Sequence, residues 1–342
     1  MVQIDFQNVT KRYQDTTALD NFSLSIKSGE LVSLLGPSGC GKTTALRALA
    51  GLVNIDNGDI LIDGKSLRAV APASRGFGMV FQSYSLFPNM TAEQNIGFAL
   101  KLKRMSPDQI KKRVDELFEL IGLQSHRKRY PHQLSGGQQQ RIALARALAI
   151  EPPVLLLDEP LSALDANVRE QLRDEIRDLQ RKLGISAIFV THDQAEAMYI
   201  SSRVAVMSNG TLQQIAPPID LYQNPLNSFV AQFVGLVNKI PATRLADGAW
   251  EVLNQPLLAK NTILSSEAHA LIRPESISVV ADPNGKSVIE SISFLGVVSR
   301  LHINVDGLRI ISDQIFDNAK DFSPTLRVTV SITTDSAIFQ EK

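Results

Sequence analysis

Three glycines, a lysine and a threonine in Gly36-Pro37-Ser38-Gly39-Cys40-Gly41-Lys42-Thr43-Thr44 have the spacing G-x-x-x-x-G-K-[ST]. The chemistry of that spacing is phosphate binding. Without a Cβ, successive backbone N–H groups can turn toward one anion, and a following helix adds unpaired N–H groups and the positive end of its dipole. Lys42 can reach the β- and γ-phosphates of a nucleoside triphosphate as a point charge, and the Thr43 hydroxyl can ligate Mg²⁺. A second anion site is offered by Leu134-Ser135-Gly136-Gly137-Gln138, where a serine and two glycines open a helix. An ordinary solvent-exposed cap is the alternative for Ser-Gly-Gly alone. Cys40, the only cysteine, stands beside the first helix start, which could lower its pKa. It reads as a tolerated small residue with no catalytic part, shielded from alkylation when nucleotide is bound.

Such a loop needs a strand before it and a helix after it. An apolar run at 31–35 and a helix from about 42 to 51 supply them. Upstream and downstream, Val2, Ile4 and Phe6, then Leu24 and Ile26, then Ile60 and Ile62 alternate as strands do, with turns at Asn57-Gly58 and Asp63-Gly64. A strand at 78–82 leads to a helical region with two marked starts. Thr91 with Gln94 forms a capping box, and Ser106-Pro107-Asp108-Gln109 provides an N-cap, a first-turn proline and an acid. Ile110, Val114, Leu117, Phe118 and Ile121 then share one helical face. A helix over 137–150 precedes a strand over 154–157 that looks buried on both faces. A polar helix at 167–183, a strand at 186–191, a helix at 193–200 and a strand at 204–207 complete a rhythm that implies a parallel sheet flanked by helices. After about residue 235 the helical periodicity fades. Short strand-like runs at 270–273, 276–280, 297–305, 308–312 and 326–332 predict a small all-β domain, barrel-like in form.

Bulk properties narrow the field. The 342 residues suggest two domains, and the 35 basic and 35 acidic side chains create no global field for nucleic acid or an anionic membrane. One cysteine excludes an internal disulfide and fits a cytosolic address. The first residues lack the pattern of a signal peptide, and no apolar run approaches the ~20 residues a membrane span needs. His126, His132, His192, His269 and His302 are scattered, without paired metal ligands.

With both anion motifs in one chain, residues 1–235 resemble the ATP-binding-cassette ATPases, the nucleotide-binding subunits of ABC transporters, with the family's motifs in order. The resemblance implies an α/β P-loop NTPase cassette: a mixed sheet core, an antiparallel β subdomain and a helical subdomain at about 88–150. A C-terminal all-β, OB-like regulatory domain would occupy 236–342. Members pair head to tail, so the 36–44 loop of one subunit and Ser135, Gly136, Gly137 and Gln138 of the other would enclose one ATP, with two sites per dimer. In Val154-Leu155-Leu156-Leu157-Asp158-Glu159, Asp158 would hold the Mg²⁺ shell and Glu159 would act as general base on water; a strand end with surface acids is the plainer reading. Gln82 resembles the glutamine-loop residue that touches Mg²⁺ and the water. His192, in Ile188-Phe189-Val190-Thr191-His192-Asp193, resembles the histidine that contacts the γ-phosphate. Ser162-Ala163-Leu164-Asp165 resembles the loop that links the two ATP sites across the dimer, and Tyr13 resembles the aromatic platform for adenine. The apolar stretch Tyr84-Ser85-Leu86-Phe87-Pro88-Asn89-Met90 either packs under the helical region or borders a groove for a short permease helix. Basic clusters at 101–104, 111–113 and 126–129 read as solvated faces, with a lipid-headgroup contact as the alternative.

Leu271-Ile272-Arg273-Pro274-Glu275-Ser276-Ile277 and Phe294-Leu295-Gly296 resemble motifs of the regulatory β-domain of bacterial importer ATPases. The expectation is therefore an ATPase at the cytoplasmic face of the membrane, driving uptake through separate permease subunits and, indirectly, a solute-binding protein. The modest tail points to polyamine, ferric iron or phosphonate as solute, with a sugar as the alternative. A non-transport cassette ATPase would be expected to carry tandem cassettes, coiled-coil insertions or a basic face, and none is visible.

Overall fold

A computed structural model describes residues 2–342, which part into two compact units, the first ending at Ile219 and the second starting at Asp220. That division falls inside a short helix, earlier than the boundary at 235 that the loss of helical periodicity suggests.

In the first unit, apolar alternation places Ile4, Phe6 and Val9 of β1 (Ile4–Tyr13) and Phe22, Leu24 and Ile26 of β2 (Thr16–Ile26) in the core. The central strand β3 (Leu31–Leu35) is buried at every residue and runs through the loop into α1 (Lys42–Ala50). Next come β4 (Asn57–Ile62), β5 (Lys65–Ser66), the single turn α2 (Pro72–Arg75) and β6 (Gly78–Val80). The helical region consists of α3 (Ala92–Leu102), α4 (Pro107–Ile121) and α5 (Gly136–Leu148). Both expected capping boxes form, at Thr91 with Gln94 and at Ser106 with Gln109, and α4 buries Val114, Leu117, Phe118 and Ile121. The remainder alternates: β7 (Val154–Asp158), α6 (Ala166–Leu183), β8 (Ser186–Thr191), α7 (Gln194–Ile200), β9 (Arg203–Ser208) and β10 (Thr211–Ala216).

Two sheets result. An antiparallel sheet has the order β2-β1-β4-β5, and a mixed sheet the order β10-β9-β3-β8-β7-β6. All pairs of the second sheet are parallel except β9 with β10. Strands β3, β7 and β8 are wholly buried, as a parallel sheet covered on both faces requires. The carboxyl ends of β3, β6, β7 and β8 therefore lie along one edge, where ligands bind in open α/β sheets.

The second unit starts within α8 (Pro218–Gln223), continues through α9 (Ser228–Phe233) and is otherwise β. Strands β11 (Asn238–Arg244), β12 (Trp250–Val252), β13 (Gln255–Ala259) and β14 (Glu267–Ile272) close into a barrel with the last strand of the chain. A five-stranded sheet is built from β15 (Ile277–Ala281), β16 (Ser287–Phe294), β17 (Val298–Val305), β18 (Leu308–Ile315) and β19 (Arg327–Ile332). A short turn, α10 (Phe316–Ala319), precedes β19, and β20 (Ser336–Glu341) returns to the barrel. One apolar core joins barrel and sheet, with the Trp250 and Phe339 rings 4.9 Å apart in it. Buried Asn238 ties them together, donating to the Ile311 carbonyl at 2.8 Å and accepting from the Ile311 N–H at 2.7 Å.

Candidate active site

The loop between β3 and α1 is built around close approaches. A Cβ on Gly36 would sit 2.3 Å from the Met207 carbonyl oxygen, and one on Gly41 2.2 Å from that of Ala18. Gly41 also caps α1 at φ 103°, in the left-handed region that favours glycine. Lys42 is only 6 % exposed, and its Nζ donates to the carbonyls of Gly36 at 2.7 Å and Pro37 at 2.9 Å. The ammonium is thereby held over the loop that α1 opens. A cleft of about 210 Å³ faces it, lined by Ala18, the 38–44 segment and Glu159.

Strand β7 delivers the carboxylates. Asp158 is 3 % exposed, and Thr43 Oγ1 donates to its Oδ1 at 3.2 Å. Burial pushes the Asp158 carboxyl above the usual carboxylate range, against the opposing pull of the Thr43 hydrogen bond and the Arg47 charge, 3.9 Å away. Glu159 adopts φ 44°, and its N–H donates to the Val190 carbonyl at 3.0 Å. This turn swings the Glu159 side chain off the strand toward the cleft. Gln82 Nε2, just beyond β6, donates to Glu159 Oε2 at 3.1 Å, and His192 Nδ1, just beyond β8, lies 3.4 Å from the same oxygen. Four strand ends thus bring Lys42, Thr43, Asp158, Glu159, Gln82 and His192 together.

The 135–138 motif stands apart from that group. Ser135 is the N-cap of α5: its hydroxyl accepts from Gln138 N at 3.4 Å, and Ser135 N donates to Gln138 Oε1 at 3.0 Å. Asp165 caps α6, accepting from Val168 N at 3.1 Å. The two caps are neighbours, since a Cβ on Gly136 would meet the Leu164 side chain at 3.2 Å and one on Gly137 the Val168 side chain at 2.8 Å. Tyr13, at the end of β1, is 47 % exposed with Lys11 Nζ 5.2 Å from its ring centroid, so it is a free aromatic face rather than a packed one.

Two expectations need correcting. Cys40 is buried, and that burial pushes its thiol up despite the Lys42 charge, where the helix start was expected to be able to lower it. The 84–90 stretch divides between its two readings: Tyr84 packs in the core, and Arg146 donates to the Tyr84 and Ser85 carbonyls at 2.9 and 2.8 Å. A pocket of about 370 Å³ does open beside it, lined by Asn89, Met90, Gln94, Phe98, Lys101 and Leu102. The basic clusters are only in part solvated, because Arg113 donates to the Leu148 and Ala149 carbonyls and Arg127 pairs with Glu93 and Asp115.

Sequence reasoning passed over the groups behind His192. Glu196 is buried, accepts from Thr191 Oγ1 at 2.6 Å and stands opposite Arg169; burial raises its pKa. An acid two positions into a helix whose cap is Asp193 is the one local signal, and it reads as an ordinary first-turn acid.

Fold and cleft define a nucleoside triphosphatase of the phosphate-loop class. The ABC transporter family profile matches residues 19–162, and the TOBE domain profile matches residues 270–339. The chain is 41% identical to a spermidine/putrescine import ATP-binding protein of Nitratidesulfovibrio vulgaris, over 96% of this chain and 94% of that protein. It is 47% identical to a sulfate/thiosulfate import ATP-binding protein of Chromobacterium violaceum, over 87% and 83% of the two chains. It is 44% identical to an Fe(3+) ions import ATP-binding protein of Fusobacterium nucleatum, over 86% and 81%. A solved dimeric ATP-binding cassette in a post-hydrolysis state, bound to ADP and Pi, superposes with a TM-score of 0.58 at 34% identity, covering 63% of this chain and 98% of that one. The chain belongs to the ABC transporter family, as an ATP-binding cassette ATPase with a C-terminal TOBE domain.

Proposed function

We propose that this chain is the ATP-hydrolysing subunit of a solute importer, working as a head-to-tail dimer beneath separate permease subunits. The observation that carries the reading is the meeting of Gln82 and His192 on one oxygen of Glu159, beside a phosphate loop whose lysine is already in place. In this reading the loop amides and Lys42 bind the ATP phosphates and Tyr13 stacks on the base. Glu159 takes the proton of the attacking water, Gln82 orients both, and His192 contacts the γ-phosphate.

A magnesium ion fits the residues present. Thr43 offers a hydroxyl and Asp158 a buried carboxylate already facing it, a hard-oxygen pair suited to Mg²⁺, with Gln82 close to the same edge. When bound, the ion would offset negative charge on the phosphates. Ser135, Gly136, Gly137, Gln138 and Asp165 are the groups assigned to the partner's ATP. The similarity to a solved dimeric cassette bound to ADP and Pi supports that pairing, as does the exposed position of Ser135. Closure upon ATP and opening after hydrolysis would then drive the permease, because ATP stabilises only the state in which it makes the extra contacts.

No helix among the described residues is long and apolar enough to cross a membrane, so the chain would act as a peripheral subunit at the cytoplasmic face. The spermidine/putrescine and Fe(3+) import relatives support polyamine or ferric iron as the solute, and the sulfate/thiosulfate relative adds an oxyanion. The test is to co-purify the chain with its permease and solute-binding protein. ATPase activity is then titrated with spermidine, ferric iron, sulfate, a phosphonate and a sugar. One solute should stimulate phosphate release. A chain that never associates with membrane protein would overturn the transport reading.

A further inference from the structure

Arg169 lies in the first turns of α6, four residues after Asp165, and does not line the cleft. Its Nη2 donates to the Leu164 carbonyl at 3.0 Å, inside the turn that ends on Asp165. From there it reaches across to α7. Its Nη1 lies 3.6 Å from Asp193 Oδ2, and its Nε lies 3.7 Å from Glu196 Oε1. The Thr191 hydroxyl, on the residue before His192, links the two acidic residues. Thr191 Oγ1 donates to Glu196 Oε2 at 2.6 Å and accepts from Asp193 N at 3.0 Å. The turn is tied to Glu159 at its other end, where Ser162 N and Ser162 Oγ donate to the Glu159 carbonyl at 3.3 and 3.0 Å. Glu159 Oε2 faces His192 Nδ1, so the contacts close into a ring that passes through the 162–164 turn and Arg169.

A flexible link would not transmit anything around such a ring. The guanidinium is planar and rigid: it is hydrogen-bonded to the Leu164 carbonyl and presents its charge to Asp193 and Glu196 at ion-pair distance, an arrangement that an ammonium on four methylenes holds less firmly. Glu196 is buried, and its carboxylate is compensated by the Thr191 hydrogen bond and by the nearby Arg169 charge, so a shift of Arg169 changes the field in which the Thr191–Glu196 pair is held.

We infer that Arg169 is a positioning residue that makes the placement of the 162–165 turn set the position of His192, so that a second subunit meeting Asp165 is registered at the γ-phosphate contact of the first site. The inference rests on the proposed roles of Asp165 and His192.

The test uses the full-length chain and radiolabelled MgATP, with equilibrium nucleotide binding and thermal melting measured alongside. Arg169→Met should lower kcat about tenfold while the Kd for ATP changes less than about twofold, the split that marks an interaction needed only for turnover. In a His192→Ala background, followed by single-turnover hydrolysis, the same substitution should change the rate by less than about twofold, because groups acting through one another are not additive. Arg169→Lys should recover part of the rate but not all of it. If Arg169→Met does not fold, Thr191→Val cuts the same ring on the other side and should show the same dependence on His192. Equal rate factors in the two backgrounds, or an unchanged kcat, would overturn the inference. If His192→Ala slows hydrolysis while Arg169→Met does not, only the inference fails. If His192→Ala turns over normally, the reading of the site fails with it.

Discussion

Two helices of the cassette begin with glycine-rich turns, and they begin in different ways. At α1 the cap is Gly41, which has no side chain to offer, and the nearest polar group is the Lys42 ammonium folded over the loop. At α5 the cap is Ser135, whose hydroxyl accepts from Gln138 N while Gln138 Oε1 accepts from Ser135 N in return. The first helix start leaves its amides for a ligand and brings its own cation. The second satisfies itself. A helix N-terminus thus attracts anions in general, but the identity of the cap decides whether a bound phosphate completes the helix or competes with a hydrogen bond already made. On the proposed function α1 would bind ATP alone, whereas α5 would engage it only when the geometry of a dimer compensates for loosening the Ser135 box.

The sharpest test leaves both helix starts intact and stops the chemistry. Glu159→Gln should lower kcat by about 10²- to 10⁴-fold, the range for loss of a general base, with ATP binding retained. Sedimentation should then show an ATP-dependent dimer, and normal turnover by this variant would remove Glu159 from its role. Lys42→Ala strips α1 of its cation. Loss of a charge-assisted contact should weaken ATP binding by about 10- to 100-fold, as read by equilibrium nucleotide binding. Ser135→Ala removes the self-made cap of α5. Nucleotide binding by the monomer should not change, while about 1 kcal/mol of capping is lost and the melting temperature falls by about 2–4 °C. The smallest effect concerns Cys40. Burial raises its pKa, so the thiolate fraction grows only as pH climbs above the ordinary thiol range, and alkylation should keep rising with pH there. Saturation of labelling below pH ~8 would show that the helix start dominates after all.

Much of the cassette was legible because its signals are local. Glycine spacing, a run of five buried strand residues and a capping box each need only a few neighbouring residues, and α1, β7 and the starts of α3 and α4 lie where those signals put them. Asp158, Glu159, Gln82 and His192 could be named because the family resemblance marks them, each at or just beyond a readable strand. The β unit was harder. Strands β11, β12, β13, β16 and β20 went unread, since their apolar residues are few or mixed with exposed ones. The barrel is closed by a parallel pair, Leu258 with Ser336 and Ala259 with Ala337, across a distance in sequence that no local pattern encodes. The Arg169–Glu196 contact was invisible for the same reason: neither residue is unusual until tertiary structure buries the acid. The fate of Cys40 also depended on burial, which a helix-start argument does not see.

The φ of 44° at Glu159 has a consequence for any attempt to improve this protein by selection. Most side chains are disfavoured in that backbone region, by about 1 kcal/mol or more; glycine relieves the strain, and asparagine tolerates it because its short amide can hydrogen-bond locally. A library randomised at position 159 and sorted on thermal resistance should therefore enrich Gly and Asn, in chains that no longer hydrolyse ATP. Enrichment of Glu under the same sorting would show that the turn carries no strain. Selection for robustness and selection for turnover would then pull this single position in opposite directions.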